Sequence, residues 1–479
     1  MLLRFGTSNH RSIRDYEELF FTASSLKDDE SGLLLPTEVS SASVKLRGLP
    51  VIALYGANAA GKSTVIDAMD TFVAGIVWSH GRAGSDKGTP YDPFMLDQTS
   101  RENPSQYDAD FVLGATRYHY GFTMNSEIIV SEWLYSYSLN SSRQTRTVLF
   151  HRDANEKDAF HFGKSLKGDN KRIARLVRKN SLFLSAAAQN SHPQLLPIYD
   201  FFYKNVSRRL DTNGGEIYLG EQLYTYFANN TERYEKVVQF LQAADVGITE
   251  IDFSKIPITE TKKKLLEDID QVIAKHVKNP HPIAPKATEE TRIEILHVGE
   301  GRQSFPISLD DESSGTRALL QLLGPVFTRL NDGGVLIVDE LNVALHPLVS
   351  RELIRLFSTP ATNPGKAQLV FSTHDTSILT AGFLRRDQIW FAEKDQFGAT
   401  CIYPLSSIKV RTTDNLERGY INGRFGAIPF FGANLLVRQE TFDARELEQE
   451  LKKSGLDTKI DAALREIGSI TDIPKGDIE

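Results

Sequence analysis

Apolar and polar residues follow two different rhythms along the chain. Short, nearly uninterrupted apolar runs recur at residues 51–55 (VIALY), 334–338 (GVLIV), 368–372 (QLVFS), 388–392 (QIWFA) and 400–404. Such runs, rich in β-branched and aromatic residues, predict strands, and the run at 334–338 reads as one buried on both faces. Residues 107–138 instead alternate aromatic and β-branched positions with polar ones, broken by Gly-Ala and Asn-Ser, which predicts antiparallel strands of a hairpin or meander. Residues 170–182, 218–245 and 262–278 carry helical spacing, separated by turn-rich pieces such as 211–215 (DTNGG) and 279–285 (NPHPIAP). No apolar heptad is sustained, so a long coiled coil is not expected.

Strand-like runs and helical periods alternate in the first and last thirds, while the middle third reads as helical. This is an α/β chain in which residues 1–160 and 291–432 are two halves of one domain. Residues 161–290 are a helical insertion, and residues 433–479 a charged helical tail. The tail carries Leu447, Leu451, Leu456 and Ile460 as anchors; they pack on the chain's own head or dock a partner. A length of 479 residues exceeds what one compact core usually holds.

Composition narrows the class. Hydrophobic residues at 41% and charged residues at 24% fit an ordered protein. Lys and Arg number 55 against 62 Asp and Glu, a net charge of −7. That argues against wrapping nucleic acid with the whole surface, though it leaves room for a local basic stripe. A single cysteine, Cys401, excludes an intramolecular disulfide and a cysteine-based zinc cluster. The opening residues lack a signal peptide's apolar core, and no stretch approaches about 20 apolar residues, so the expectation is a cytoplasmic protein.

The strongest chemical signal is GANAAGKS, residues 56–63. Glycines at Gly56 and Gly61 let the backbone turn so that successive N–H groups, through Asn58 and Ala60, point at phosphate oxygens. Lys62 is then placed to reach the β- and γ-phosphates, and the Ser63 hydroxyl to ligate magnesium, with Thr64 following. The loop leaves a strand and opens a helix in which Val65, Ala68, Met69, Phe72 and Ile76 recur at helical spacing.

A second signal follows the apolar run at 334–338, which ends in Asp339 and Glu340. A strand buried on both faces delivers such residues to the ligand-binding edge of a parallel sheet. There Asp339 suits the hydration shell of magnesium, and Glu340 suits the orientation and deprotonation of an attacking water; two solvated acids at a strand end are the plainer alternative. Residues 372–375 (STHD) end another strand, where His374 is placed to hydrogen-bond a γ-phosphate. Upstream, ESSGT (312–316) precedes an apolar helix, so that Ser313 and Gly315 offer a second anion site at a helix N-terminus. Taken singly, Ser313 is a plain helix cap and His374 an ordinary core or surface histidine.

The fixed order of these pieces resembles the ABC-type ATPase heads of the SMC, RecF and overcoming-lysogeny-defect families. It is most similar to the short-insert ATPases of bacterial anti-phage and abortive-infection systems, such as the Septu and PARIS ATPase subunits. The resemblance spans about residues 1–160 and 290–430 and implies a split P-loop NTPase head. In it GANAAGKS corresponds to the phosphate loop, ESSGT to the signature motif, and Asp339 and Glu340 to the Walker B acid and catalytic glutamate. Residues 343–347 (VALHP) correspond to the D-loop and His374 to the switch histidine. Asn9-His10-Arg11-Ser12 resembles a turn that puts Arg11 near the adenine, and residues 425–432 (FGAIPFFG) resemble an ending common in the defence-associated group. The sequence departs from transporters at Ser314 and Glu312 of the signature and at His346 of the D-loop. Gln98 and Gln106 are the weak candidates for a Q-loop residue.

The resemblance implies ATP and magnesium sandwiched between two protomers of a homodimer or higher oligomer, and an anti-phage sensor that controls a separate effector nuclease or toxin. Two other classes stay open: a RecF-like DNA-repair ATPase, and a stand-alone ATP-dependent nuclease. A nuclease needs a carboxylate cluster, and no D-x-D occurs beyond residue 380. Asp108 and Asp110 lie on a strand, and Asp268 and Asp270 in a charged helical stretch. A possible DNA contact lies in the insertion, where Lys171, Arg175 and Arg178 share a helix face with Arg172 and Lys179 alongside; Ile173, Leu176 and Val177 are read as core-facing. Lys262, Lys263 and Lys264 add a second cluster. A solvated amphipathic face is the alternative.

Overall fold

The computed structural model describes residues 1–26, 28, 32–34, 46–81, 88–140, 145–211, 219–227, 230–244, 247–260, 263, 264, 268, 289–343, 345–380, 382–411 and 414–428. The expected helix at 262–278, the turn at 279–285 and the charged tail fall wholly or largely outside them, as do Lys262 and Asp270.

Strands β1 (Leu2–Ser8) and β2 (Glu17–Phe20) form an antiparallel pair, and β3 (Val51–Tyr55) is buried along its whole length. Helix α1 (Lys62–Trp78) buries Val65, Ala68, Met69, Phe72 and Ile76, the positions its spacing singles out. After the short α2 (Gln98–Glu102), the alternating region folds into the meander β4 (Ser105–Leu113), β5 (Thr116–Met124) and β6 (Ile129–Ser138). Strands β7 (Thr147–Asp153) and β8 (Phe160–Phe162) extend it. The middle of the chain supplies α3 (Asn170–Ala174), α4 (Phe183–Gln189), α5 (Leu196–Asn205), β9 (Val206–Asp211), α6 (Leu219–Phe227), α7 (Thr231–Ala243) and β10 (Ile248–Pro257). There follow β11 (Glu289–Val298), β12 (Ser304–Ser308), α8 (Ser314–Asp332), β13 (Val335–Asp339), α9 (Pro347–Ser358) and β14 (Gln368–Ser372). The described residues end with α10 (Ser377–Thr380), β15 (Ile389–Lys394), β16 (Thr400–Pro404) and α11 (Leu416–Ile421).

Among the described residues the strands form three sheets. One is antiparallel, in the order β2-β1-β4-β5-β6-β7-β8; a small one runs β10-β11-β12; the central one runs β16-β15-β3-β14-β13-β9. Within the central sheet β15, β3, β14, β13 and β9 are parallel and only β16 is antiparallel. The period-2 alternation of a strand divides its side chains between two cores. Ile52, Leu54, Val335, Ile337 and Val370 face one core with α1, while Val51, Ala53, Tyr55, Leu336, Val338, Leu369 and Phe371 face the other with α8. Both faces being covered is why these strands read as continuous apolar runs. The fold is thus the expected α/β architecture, a mostly parallel sheet with helices on both faces and the glycine-rich loop following β3.

The middle of the chain departs from expectation in two ways. Residues 170–182 do not form one helix. The Ser181 hydroxyl accepts from the Arg178 amide at 3.2 Å, and this side-chain turn replaces helical pairing. Leu176, expected in the core, is therefore 52% exposed, and the Arg178 guanidinium turns inward to the carbonyls of Ser79 and His80 at 3.3 and 2.5 Å. Nor is 161–290 helical throughout. Strand β9 pairs in parallel with β13, and β10 pairs with β11. Helices α4 and α5 share a core with α1, where Phe202 meets Phe72 edge-on at 5.4 Å. Phe202 of α5 covers Phe72 of α1, while Phe183 packs against Phe150, Phe160 and Phe162, and Phe201 against Phe111.

Candidate functional site

Strands β3, β14 and β13 are neighbours in the central sheet, so the loops at their carboxyl ends converge. The loop 56–61 follows β3. A Cβ on Gly56 would collide with the Ala392 carbonyl oxygen, and one on Gly61, whose φ is 106°, with the Thr400 side chain. Glycine is required at both positions by close approach. Asn58 and Ala59 are exposed at the tip and Ala60 is buried. The Lys62 ammonium is buried within the loop, donating to the carbonyls of Gly56 at 2.9 Å and Ala57 at 3.0 Å. Burial lowers its pKa to about 8, against the opposing pull of Glu340 and Asp339.

Two residues outside the motif brace the loop. Thr400 of β16 donates to the Ala60 carbonyl at 3.0 Å and meets Ser12 at 2.8 Å, while Ser12 donates to Thr64 at 3.0 Å. Arg11, at φ 49°, is held by Asp67 of α1 and Asp92, each at 3.2 Å.

Across the sheet, Ser63 donates to Asp339 Oδ1 at 3.1 Å. Asp339 is buried, and Ser372 donates to the same oxygen at 2.5 Å. Glu340 follows with a left-handed backbone, φ 54°, a conformation that costs a non-glycine residue roughly 1 kcal/mol or more. Asn342 accepts from the Thr373 hydroxyl at 2.7 Å and from the His374 amide at 3.4 Å, tying the D-loop to the end of β14. His374 is exposed at this edge; desolvation and then the Lys62 charge lower its pKa, against Glu340. Lys62, Asp339, Glu340 and His374 therefore form one electrostatically coupled cluster. Ser63 and Asp339 present hard oxygen donors beside the phosphate loop, a donor set that fits magnesium.

The residues of ESSGT lie at the start of α8. Ser313 is exposed and caps α8, its hydroxyl accepting from the Thr316 amide at 3.1 Å. Gly315 lies in the first turn of that helix. His346, within the 343–347 segment, accepts through Nδ1 from the Leu348 amide at 3.3 Å and caps α9. Val343 and Leu348, on either side, are exposed. Gln98 is exposed at the start of α2, and Gln106 donates to Asp108 at 3.1 Å.

The Asp108–Asp110 pair is committed to packing. Arg4 bonds both carboxylates, Arg117 and His119 reach Asp110, and Tyr16 donates to Asp108. Burial alone would raise the Asp110 pKa, but hydrogen bonds from His119 and Arg4 and the Arg117 charge hold it well below the carboxylate range.

The ending FGAIP has a structural part to play as far as the described residues reach. The Ala427 amide donates to Glu393 at 3.0 Å, and Tyr420 donates to the Ala427 carbonyl at 3.1 Å. The Tyr420 ring in turn packs edge-on against Tyr55, just before the phosphate loop, at 5.7 Å.

Sequence patterns single out the phosphate loop, the acidic pair and His374, all of which the fold brings together. The turn ending at Ser12 is singled out too, but not the brace Ser12 makes to Thr64 and Thr400, and Thr400 and the hydrogen bond from Ser372 to Asp339 are missed. Ser372 and Asn342 lie inside segments already singled out, whereas nothing local marks Thr400.

Residues 51–380 match the family model described as "AAA domain, putative AbiEii toxin, Type IV TA system". Among solved structures, the chain is similar to the SMC head domain from Thermotoga maritima, at 12% identity and TM-score 0.36, over 85% of this chain and 99% of that one. It is also similar to an SmcHead bound to the C-winged helix domain of ScpA, at 12% identity and TM-score 0.37, over 84% and 97%. A third is the Smc head with an extended coiled coil bound to the C-terminal domain of ScpA, from Pyrococcus furiosus, at 10% identity and TM-score 0.32, over 84% and 96%. No curated protein matches the chain. No helix among the described residues is long and apolar enough to cross a membrane.

Proposed function

The chain belongs to the family described as AAA domain, putative AbiEii toxin, Type IV TA system, and from that premise we propose that it binds and hydrolyses ATP between two copies of itself. The convergence of Lys62, Ser63, Asp339, Glu340 and His374 at one sheet edge carries this reading. The loop amides and Lys62 hold the phosphates. Ser63 and Asp339 would hold magnesium, which when bound would supply positive charge against the phosphates. Glu340 orients the attacking water and accepts its proton, and His374 hydrogen-bonds the γ-phosphate.

The exposed Ser313 turn, a helix N-terminus suited to an anion, supports closure of the site by a second protomer. Exposed Val343 and Leu348 at the D-loop offer apolar surface for that contact. Lys62→Ala and Ser313→Arg proteins should each be inactive and regain activity when mixed, because one composite site is then intact. A fully active Ser313→Arg protein would sink the two-protomer reading.

In the cell this ATPase serves as the sensor or regulatory subunit of a cytoplasmic anti-phage complex, restraining a separate nuclease or toxin until a phage signal alters its nucleotide state. The family description and the order of motifs support that role; the engagement of Asp108 and Asp110 by Arg4 supports a separate effector over an intrinsic nuclease at that pair. Co-purification of the natively expressed protein with the product of a neighbouring gene tests it, and an isolated protein that cuts DNA in a metal-dependent way argues against it.

A second reading, direct contact with DNA, draws on one observation. Lys164, Lys167, Lys171, Arg172, Arg175 and Lys179 are all exposed within one short stretch of an acidic chain. Arg178 is engaged elsewhere, so the test reverses Lys171 and Arg175. Salt-sensitive DNA binding lost in Lys171→Glu/Arg175→Glu protein supports this contact, and unchanged binding removes it.

A further inference from the structure

We infer that His297 is a positioning residue for the signature turn, and that the β10–β11–β12 sheet is the link through which the middle of the chain acts on that turn. The inference rests on the two-protomer reading, because it concerns the residues one protomer offers to the other.

Strand β12 runs through a single 3-10 turn, Leu309–Asp311, straight into Glu312 and the Ser313 cap of α8. Two anchors hold this short connection. Leu309 is buried in the core shared with α8. Glu312 is buried as well, and its Oε1 lies 2.5 Å from His297 Nε2. His297 sits near the end of β11, opposite Phe305 of β12 and Ile248 of β10. The Val298 amide beside it donates to the Gly247 carbonyl at 3.2 Å, closing the end of the sheet.

A buried carboxylate is costly unless it is paired. Here the partner comes from a strand of the small sheet. Without His297, Glu312 gains more by turning to solvent, and it sits next to the Ser313 cap. Displacement of a ligand-contacting group by about 1 Å can cost on the order of 10²-fold in rate, so a modest shift of Ser313 suffices to throttle hydrolysis while leaving the distant phosphate loop intact. Register or twist changes in β10–β11–β12 reach the turn by the same route. A regulatory input on the middle of the chain would therefore read out as kcat rather than nucleotide affinity.

The test uses the full chain. His297→Ala should lower kcat by roughly 10-fold or more, with binding of a fluorescent ATP analogue within about 2-fold of wild type. His297→Gln, which keeps a neutral donor for Glu312, should restore most of the rate, and both variants should melt as cooperatively as wild type. An unchanged kcat in His297→Ala overturns the link, as does a loss that His297→Gln fails to repair. If Ser313→Arg is inactive while His297→Ala is fully active, the link falls and the two-protomer reading stands. If Ser313→Arg is fully active, that reading falls and takes the link with it.

Discussion

Ser372 donates its hydroxyl proton to Asp339 Oδ1 at 2.5 Å while its oxygen accepts from the Glu340 amide at 2.7 Å. One side chain at the end of β14 thus sets both the acid that suits magnesium and the backbone of the acid that suits proton abstraction. Ser372→Ala should leave a buried amide unpaired, costing about 1–3 kcal/mol of stability. It should also lower kcat by roughly 10-fold, with nucleotide binding little changed. Equal losses in binding and turnover would mean that Ser372 serves the phosphate loop instead.

Glu340 sits at φ 54°, where glycine carries no penalty. Glu340→Gly should melt at the same temperature as wild type or above it, while losing hydrolysis. Glu340→Gln should bind ATP, hydrolyse it slowly and accumulate as the closed dimer, which size-exclusion chromatography with ATP and magnesium would reveal. If Glu340→Gln hydrolyses at the wild-type rate, another residue is the base.

The Lys62 pKa is lowered from 10.5 to about 8 in the folded chain, chiefly by burial. Between those values the unfolded chain keeps a proton that the folded one has lost, so stability rises with pH across this window. The cost of burying the ammonium is fully present below pH 8 and relieved toward pH 10.5. Lys62→Met should therefore be more stable than wild type at pH 7, by about 1–3 kcal/mol, with the gain shrinking as pH rises from 8 to 10. Calorimetry in buffers of different ionisation enthalpy should show proton uptake when wild type binds ATP above pH 8. A pH-independent stability difference would show that Lys62 is not desolvated.

Asp110 receives Arg4 at 2.8 Å and Arg117 at 2.9 Å across the antiparallel sheet. Asp110→Ala should cost about 1–3 kcal/mol, because it removes charged hydrogen bonds to Arg4 and Arg117 while Arg4 keeps Asp108 and Glu18. The ATP turnover of the protein that remains folded should stay at the wild-type level. A metal-dependent activity lost in this variant without loss of stability would instead give the Asp108–Asp110 pair a chemical role.

Much of the site can be read along the chain because its parts are local. Gly56 to Thr64 must be contiguous for backbone amides to curl round phosphate, and Asp339 and Glu340 must end an apolar strand to reach the sheet edge. The same locality made the meander and the central strands legible, since period-2 alternation and continuous apolar runs report how many faces of a sheet are covered. Residues 170–182 misled because helical spacing is only permissive: the helix ends at Ala174 in tighter turns at Leu176 and Val177, and Ser181 captures the Arg178 amide beyond them.

The chain order by itself determined the phosphate loop, the acidic pair, the strand that carries each, and an α/β fold without a disulfide. Only the tertiary structure decided what steadies them. Thr400 reaches back to Ala60 and Ser12, Ser372 crosses to Asp339, and His297 reaches Glu312 from a neighbouring strand. These contacts join residues with no shared local pattern, and they exist because segments distant in sequence are brought side by side when the sheets assemble. Periodicity encodes which face of an element is buried, but which polar group meets which depends on strand order and register, and those are set when the two cores close on either side of the sheet.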